Sequence, residues 1–282
     1  MRSPWAVLRD ARYKLPGAIG RVASGPGPAA AARRCLGLTR GGLAATVGYF
    51  QANDAGAEEI VAANLALAAQ FSGRPGDVRL ALKAPPLGFD AGRIRRIAGT
   101  GLPLTFDAHG LDHAAPTLAA ASALLRDFPG TGLALPARWR RSLQDAGEFR
   151  DTTARVRLVK GEWADPDWNG ADVAANYLAM AQRLAGRAAP VAVATHDPLL
   201  AERALSALLA AGTPCELEQL RGLPGRRTAA VARRLGVPVR VYVPFGPGWW
   251  PYAVDKALAR PHLLAWTLRD LFGRADRREF AL

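Results

Sequence analysis

The stretch RVRLVKGEW, residues 155–163, places three cations, Arg155, Arg157 and Lys160, on what is otherwise an apolar strand. Successive side chains of a strand point to opposite faces, so the valine and leucine between the arginines form one apolar face. That face suits contact with covering helices. The arginine face would then point into a closed sheet, where an unpaired charge costs roughly several kcal/mol.

The same two-faced pattern recurs in VRLALKA (78–84) and LPLTFDA (102–108). One face of each run is apolar, whereas the other carries Arg79 and Lys83 in the first run and Asp107 in the second. Two interpretations stay open from the strands alone. The polar groups either build a functional site at the C-terminal ends of the strands or form a mutually satisfied ion-pair layer inside the barrel.

Eight β-rich runs alternate with helical segments along the chain, which predicts an α/β fold with a parallel sheet. Eight such units in one chain favour a closed (βα)8 barrel of the TIM type over an open sheet. Residues 1–40 are predicted to form an N-terminal arm that contains the linker-like SGPGPAAAA at 24–32, and residues 41–282 are predicted to form a single barrel domain. The β-rich runs span 42–50, 78–84, 102–108, 130–137, 155–161, 191–197, 215–222 and 239–246.

The formal charge of +13 raises the question of nucleic-acid binding. The arginines are scattered through Ala/Leu-rich helices without interleaved aromatic residues, which favours a solvated surface over specific nucleic-acid binding. Contact with an anionic membrane surface stays open. Cys35 and Cys215 are far apart and have no metal-like spacing, so we expect a reducing cytoplasm and no bound metal. No apolar run approaches the roughly 18 residues of a membrane span, and no secretory signal is expected.

Six motifs resemble, in the same order, those of the proline dehydrogenases, flavoenzymes built on a (βα)8 barrel. The resemblance runs from about residue 40 to 261. It implies FAD as cofactor and oxidation of proline to 1-pyrroline-5-carboxylate by hydride transfer to flavin N5, in proline catabolism. The resemblance also implies a quinone as the electron acceptor. The motifs are VRLALKA, LTFDAHG, RLVKGEW (resembling RLVKGAYW), VAVATHD (resembling FATHN), CELEQLRG (resembling FEFQRLHG) and YVPFGPGWWPY (resembling YVPYGEDWYPY).

The resemblance also implies a set of flavin contacts. Fixed cations stabilise the negative charge that a flavin gains on reduction, and Arg157 is the cation near the isoalloxazine ring. A glycine after Lys160 lets the backbone approach the phosphate and adenosine arm closely. Trp163 is the candidate for stacking on adenine. The cofactor-binding residues implied are Arg157, Lys160, Gly161, Trp163, Thr195, His196 and Leu220.

The catalytic residues implied by the resemblance are Lys83, Asp107 and Tyr252. A buried carboxylate can hold the lysine charged, or burial can lower the lysine pKa so that the amine exchanges protons with the substrate. Proline must lose its N–H proton before hydride leaves C5, so such a pair suits the chemistry.

The sequence departs from the family pattern where two arginines should grip the substrate carboxylate. Asp255 and Lys256 occupy those substrate-binding positions, and Ala259 replaces the glutamate one turn later. A lysine cannot reproduce a bidentate arginine clamp, and an aspartate repels a carboxylate. Losing one charged hydrogen bond to a buried carboxylate costs on the order of 2–5 kcal/mol.

Two flavin-side glutamines of the family are also changed, to Pro136 and Glu218. Three interpretations follow. A shifted helix register brings Lys256 and Arg260 to the carboxylate, or the substrate is another cyclic amine without a free carboxylate. Alternatively, the chain is a non-catalytic barrel that binds flavin or another ligand.

Overall fold

The computed structural model describes residues 26–168 and 172–249 as a closed barrel of eight parallel strands. Each strand pairs with the next along the chain, and β8 pairs with β1 to close the sheet. The predicted (βα)8 barrel is therefore confirmed, and every predicted β-rich run contains one strand. The strands are β1 (Ala44–Tyr49), β2 (Val78–Leu82), β3 (Leu104–Phe106), β4 (Gly132–Pro136), β5 (Arg155–Val159), β6 (Val191–Ala194), β7 (Cys215–Leu220) and β8 (Val239–Phe245).

Helices cover the outside of the sheet, and two short 3-10 turns, Pro85–Leu87 and Leu111–His113, follow β2 and β3. Three helices begin at an aspartate whose carboxylate accepts backbone N–H bonds of the first turn: Asp90, Asp172 and Asp197. No helix in the described residues is long and apolar enough to cross a membrane. The helices are α1 (Pro28–Arg40), α2 (Ala57–Ala69), α3 (Ala91–Ala98), α4 (Ala114–Leu125), α5 (Ser142–Glu148), α6 (Val173–Leu184), α7 (Pro198–Ala210) and α8 (Arg226–Arg234).

Helix α1 lies within the predicted N-terminal arm and packs against β1 and β8, where the barrel closes. It begins at a proline, whose fixed φ and missing N–H suit the first helical turn. Its buried face consists of Ala31, Ala32 and Cys35. The first 25 residues of the arm lie outside the described residues.

The outward faces of the strands form the main core with the helices, as the alternation predicted. Leu80, Phe106 and Leu158 are fully buried there. The Tyr177 hydroxyl of α6 donates to the Leu158 carbonyl at 2.9 Å, so a hydrogen bond supports the apolar contact between helix and sheet.

The inner faces combine long charged side chains with very small ones. Residues paired in register on parallel strands point to the same face, and Arg155 pairs with Gly132 while Arg157 pairs with Ala192. A Cβ built on Gly132 would lie 2.7 Å from the Arg155 carbonyl oxygen. The small residues of β4 and β6 therefore leave room for the arginines of β5.

Candidate active site

Asp107 follows β3 at the C-terminal end of the barrel, where three polar side chains converge on its carboxylate. Its Oδ2 accepts a hydrogen bond from the Tyr242 hydroxyl at 2.8 Å and lies 3.4 Å from Lys83 Nζ. Its Oδ1 accepts a hydrogen bond from Arg157 Nη2. The partners come from β5, β8 and the residue after β2, so this group forms only once the barrel has closed. We call Lys83, Asp107, Arg157 and Tyr242 the mouth cluster.

The mouth cluster keeps Asp107 ionised. Burial by itself raises the pKa of this carboxyl, but the charges of Arg157 and Lys83 and the hydrogen bonds from Arg157 and Tyr242 outweigh it. The net pKa of Asp107 is below its ordinary value. The carboxylate is therefore a fixed negative charge at neutral pH.

Lys83 is the titratable member of the mouth cluster. Its side chain is 16% exposed, its Nζ donates to the Tyr49 carbonyl at 3.0 Å, and Nζ lies 4.0 Å from the centroid of the Phe50 ring. Burial lowers the pKa of Lys83, and the negative charge of Asp107 opposes this shift without cancelling it. A lysine in this state can release and take up a proton more readily than an exposed one.

Tyr242 was not found by the sequence analysis. Its hydroxyl reaches Asp107 because residue 48 on β1 is a glycine: a Cβ there would lie 1.9 Å from the tyrosine oxygen. Burial and the neighbouring Asp107 raise the pKa of Tyr242 well above its ordinary value, so the hydroxyl stays protonated. The alternation of VRVYVPFG offered a signal, because Tyr242 lies two residues after Arg240 on the same inward face.

Glu218 of β7 lies behind the mouth cluster and joins two arginines of β5. Its Oε1 lies 3.3 Å from Arg157 Nη1, and its Oε2 accepts from Arg155 Nη2 at 2.6 Å. Burial alone raises the pKa of Glu218, but the charges of Arg155 and Arg157 lower it to about 2. Strand β6 lies between β5 and β7, so these contacts cross the barrel interior.

A second group of charges continues toward the N-terminal end of the strands. Arg155 Nε donates to Glu216 Oε1 at 2.6 Å, and Arg240 Nε donates to Glu216 Oε2 at 2.9 Å. Arg240 Nη2 then donates to both oxygens of Asp77, at 2.7 and 2.8 Å. We call Arg155, Glu216, Arg240 and Asp77 the base cluster.

The strand pattern left two interpretations open, an ion-pair layer and a polar site, and the barrel interior contains a charged cluster of each kind at a different depth. The base cluster is an ion-pair layer in which the carboxylates of Glu216 and Asp77 meet arginines. The mouth cluster gathers two cations and a hydroxyl on one carboxylate. Among the described residues, the buried atoms Arg155 Nη1 and Arg157 Nε have no hydrogen-bond partner.

The loop after β5 turns at Gly161, in a backbone conformation that favours glycine. Gly161 has φ +89°, and a Cβ there would lie 2.7 Å from Pro136 Cβ. Both the backbone conformation and the contact with Pro136 therefore disfavour a side chain at this position. The Gly161 carbonyl accepts from Arg138 Nε at 3.0 Å, which places a second basic side chain, not found from the sequence, at this loop. Lys160 is 47% exposed and pairs with Asp197 at 3.4 Å.

Three further predicted cofactor residues, Thr195, His196 and Leu220, lie at the ends of β6 and β7, and His196 connects the two ends. Thr195 Oγ1 accepts from the Asp197 N–H at 3.1 Å. His196 Nδ1 lies 2.7 Å from the Pro224 carbonyl, and Nε2 accepts from the Leu220 N–H at 3.0 Å. These partners assign the proton to Nδ1. Both ring nitrogens of His196 thus contact the protein backbone.

Trp163 stacks on His109 rather than standing alone, with ring centroids 4.7 Å apart and an interplanar angle of 23°. His109 also meets His113 edge to face at 5.8 Å. Burial lowers the pKa of His109, and Lys83 and His113 lower it further, so the ring is neutral at neutral pH. His109 is a second residue near the mouth that the sequence analysis did not assign.

The positions predicted to bind the substrate, Tyr252, Asp255 and Lys256, lie outside the described residues. Tyr252 was also predicted to be catalytic. Among the described residues, the structure brings together Lys83, Asp107 and Arg157. Lys160, Gly161 and Trp163 follow β5, Thr195 and His196 follow β6, and Leu220 is the last residue of β7.

No family model matches this chain. Proline dehydrogenase 1 of Bacillus subtilis subsp. natto is 27% identical over 261 residues, which cover 83% of this chain and 84% of the relative. Proline dehydrogenase of Deinococcus radiodurans is 28% identical over 138 residues, covering 46% of this chain and 44% of the relative.

Among solved structures, proline utilization A (PutA) of Bdellovibrio bacteriovorus, inactivated by N-propargylglycine, has a TM-score of 0.72. The two proteins are 18% identical, and the match covers 91% of this chain and 34% of PutA, so this chain spans about a third of that protein's length. At that identity the match shows the fold.

The closed sheet defines a (βα)8 scaffold, and the curated relatives named proline dehydrogenase support an oxidoreductase built on it. The predicted resemblance to the proline dehydrogenases is confirmed.

Proposed function

We propose that this chain is an FAD-dependent dehydrogenase that oxidises a cyclic secondary amine, with proline to 1-pyrroline-5-carboxylate as its first candidate reaction. The observation that carries the proposal is the convergence of Lys83, Arg157 and Tyr242 on the buried carboxylate of Asp107. This group lies at the C-terminal end of the strands, where (βα)8 enzymes carry their active sites.

The residues present fit a flavin. Arg157 is buried and is held by two carboxylates, and its Nε is an unsatisfied donor among the described residues. The left-handed Gly161 and the basic side chains of Lys160 and Arg138 suit an anionic phosphate arm. When bound, FAD supplies the acceptor for the hydride that leaves the substrate carbon.

The chain's own groups would prepare the amine for hydride loss. Neutral Lys83, favoured by burial, can accept the proton of the substrate N–H, and Asp107 then stabilises the resulting ammonium at 3.4 Å. Tyr242 stays protonated and fixes the second position of the Asp107 carboxylate. The aromatic rings of Phe50 and Trp163 supply apolar surface near the mouth.

The substrate carboxylate is where this chain differs from the proline dehydrogenase pattern. Asp255 and Lys256 replace the arginine pair, which weakens the case for proline and favours an amine without a free carboxylate. We propose a quinone as the electron acceptor and the cytoplasm as the location, with contact at an anionic membrane surface as part of the same proposal.

An anaerobic absorption experiment tests the proposal. The purified chain, supplied with FAD, is mixed with proline and separately with pyrrolidine, which lacks the carboxylate. Bleaching by proline supports the default substrate, and bleaching by pyrrolidine alone supports a carboxylate-free amine. Bound flavin that neither amine reduces favours a non-catalytic flavin barrel. Failure to bind FAD contradicts the proposal.

A further inference from the structure

Glu218 is placed to control the charge that Arg157 presents at the mouth of the barrel. It is 2% exposed and contacts Arg157 at 3.3 Å with one oxygen and Arg155 at 2.6 Å with the other. It does not contact Lys83 or Tyr242 in any hydrogen bond of the described residues. Its direct contact with the mouth cluster is the ion pair with Arg157, and its negative charge also helps to raise the pKa of the Tyr242 hydroxyl.

The positive charge of Arg155 opposes the negative charge of Glu218, whose second carboxylate oxygen it contacts. Arg155 and Arg157 lie two residues apart on the same inward face of β5, so their positive charges repel each other in a poorly solvated interior. Glu218 bridges them, and Arg155 in turn contacts Glu216. The net field at Arg157 depends on both members of the Arg155–Glu218 pair.

The sign of each charge determines its effect on a ligand that becomes more negative. A buried negative charge near Arg157 disfavours reduction of a neighbouring flavin, and a buried positive charge favours it. Water screens these charges weakly, because both side chains are almost completely buried.

We propose that the buried Arg155–Glu218 pair sets the reduction potential of the flavin bound at the mouth, with Glu218 lowering it and Arg155 raising it. This inference rests on the proposed function, since it requires a flavin beside Arg157. It assigns a role to two residues that need not touch substrate or cofactor.

The test is the midpoint potential of the FAD-loaded protein, measured anaerobically against reference dyes. Glu218→Gln should shift the potential upward, and Arg155→Met should shift it downward. The double variant, Arg155→Met with Glu218→Gln, should return close to the wild-type value. A purely structural pair predicts a different pattern: both single variants lower the melting temperature, and their potentials do not move in opposite directions.

Glu216→Gln is the matched control, because it removes the same charge from the same strand but contacts Arg155 and Arg240 rather than Arg157. Its upward shift should be smaller than that of Glu218→Gln; an equal or larger shift overturns the inference. Should Glu218→Gln fail to fold, the difference in midpoint potential between the double variant and Arg155→Met gives the effect of removing the Glu218 charge. Wild-type protein that binds no FAD contradicts the proposed function and this inference together. Flavin that binds without opposite shifts overturns only the inference.

Discussion

The mouth cluster and the base cluster use the same kinds of side chain within one barrel, but their hydrogen bonds are distributed differently. In the base cluster, Arg240 meets both oxygens of Asp77 and also reaches Glu216. In the mouth cluster, Arg157, Lys83 and Tyr242 share the single carboxylate of Asp107.

This difference indicates that the base cluster contributes mainly to stability and the mouth cluster mainly to chemistry. A buried pair with matched partners holds strands together, and breaking it leaves an uncompensated charge. A buried lysine with a lowered pKa is costly to keep charged, so Lys83 contributes little to stability and is suited to proton transfer. We therefore expect substitutions at the mouth to reduce activity and substitution of Arg240, the base-cluster arginine that is not ion-paired with Glu218, to reduce stability.

The largest effect is expected for Lys83→Met. Removing a positioned acid–base group typically lowers the rate by about 10²–10⁴-fold. The free energy of unfolding should stay unchanged or rise, since methionine carries no charge to desolvate. Steady-state kcat/KM and a urea unfolding curve measure the two quantities. Lys83→Arg is the control: it keeps the charge but does not release its proton, so it should not restore the rate.

Arg240→Met should have the opposite profile. It breaks the buried contact to Glu216 and the contact to Asp77, whose side chain is 65% exposed. Breaking a buried ion pair costs about 3–5 kcal/mol in the free energy of unfolding, and Arg155 still pairs with Glu216 here, so we expect a loss at or below the lower end of that range. The rate per folded, flavin-loaded molecule should change little. A denaturant titration measures the first effect. A variant as stable as the wild type would show that the base cluster does not hold the barrel together.

Acid should destabilise the protein through Glu218, which belongs to neither cluster and links both. Its pKa is about 2 in the folded state, against about 4.3 for an unperturbed glutamate. A folded pKa below the unfolded value gives stability above the unfolded pKa, and this stability is lost as the pH falls from about 4.3 toward 2. The contribution of Glu218 to the unfolding free energy should stay level from neutral pH to about pH 5 and fall as the pH is lowered further to about pH 3. The slope should be shallower in Glu218→Gln.

Gly48→Ala gives the smallest expected effect and tests how the mouth cluster is packed. The added methyl would lie 1.9 Å from the Tyr242 oxygen, so the hydroxyl must move away from Asp107. Overpacking of this kind costs about 1–3 kcal/mol. Thermal melting measures the loss. Tyr242→Phe removes the nearest clashing atom but leaves ring carbon Cζ at 2.6 Å, so Gly48→Ala should cost less in the Tyr242→Phe background than in the wild type. An equal or larger cost in that background would contradict the packing described for Tyr242.

The alternation of apolar and polar residues was sufficient to predict the eight strands and the inward face of β2, β3 and β5. It could not predict how the charges pair, because Arg157 meets Asp107 and Glu218 only across the closed interior. The strands are also shorter than predicted: β3 ends at Phe106, so Asp107 lies just beyond it.

Tyr242 and His109 show what sequence patterns miss. The role of Tyr242 depends on the missing side chain of Gly48 on another strand, and that of His109 depends on stacking against Trp163, which lies far away in sequence. Both contacts depend on distances that are fixed only in the folded barrel. The resemblance drew attention to Lys83, Asp107 and Arg157 because they lie within motifs, whereas these two residues were not assigned a role by them.

The most direct test of the role of the mouth cluster is the rate at which the best amine substrate bleaches the bound flavin in Lys83→Met and in Arg240→Met, per flavin-loaded molecule. We expect a rate about 10²-fold or more below wild type for Lys83→Met and a nearly wild-type rate for Arg240→Met. Equal losses in both variants, or a wild-type rate in Lys83→Met, would contradict the assignment of chemistry to the mouth cluster and stability to the base cluster.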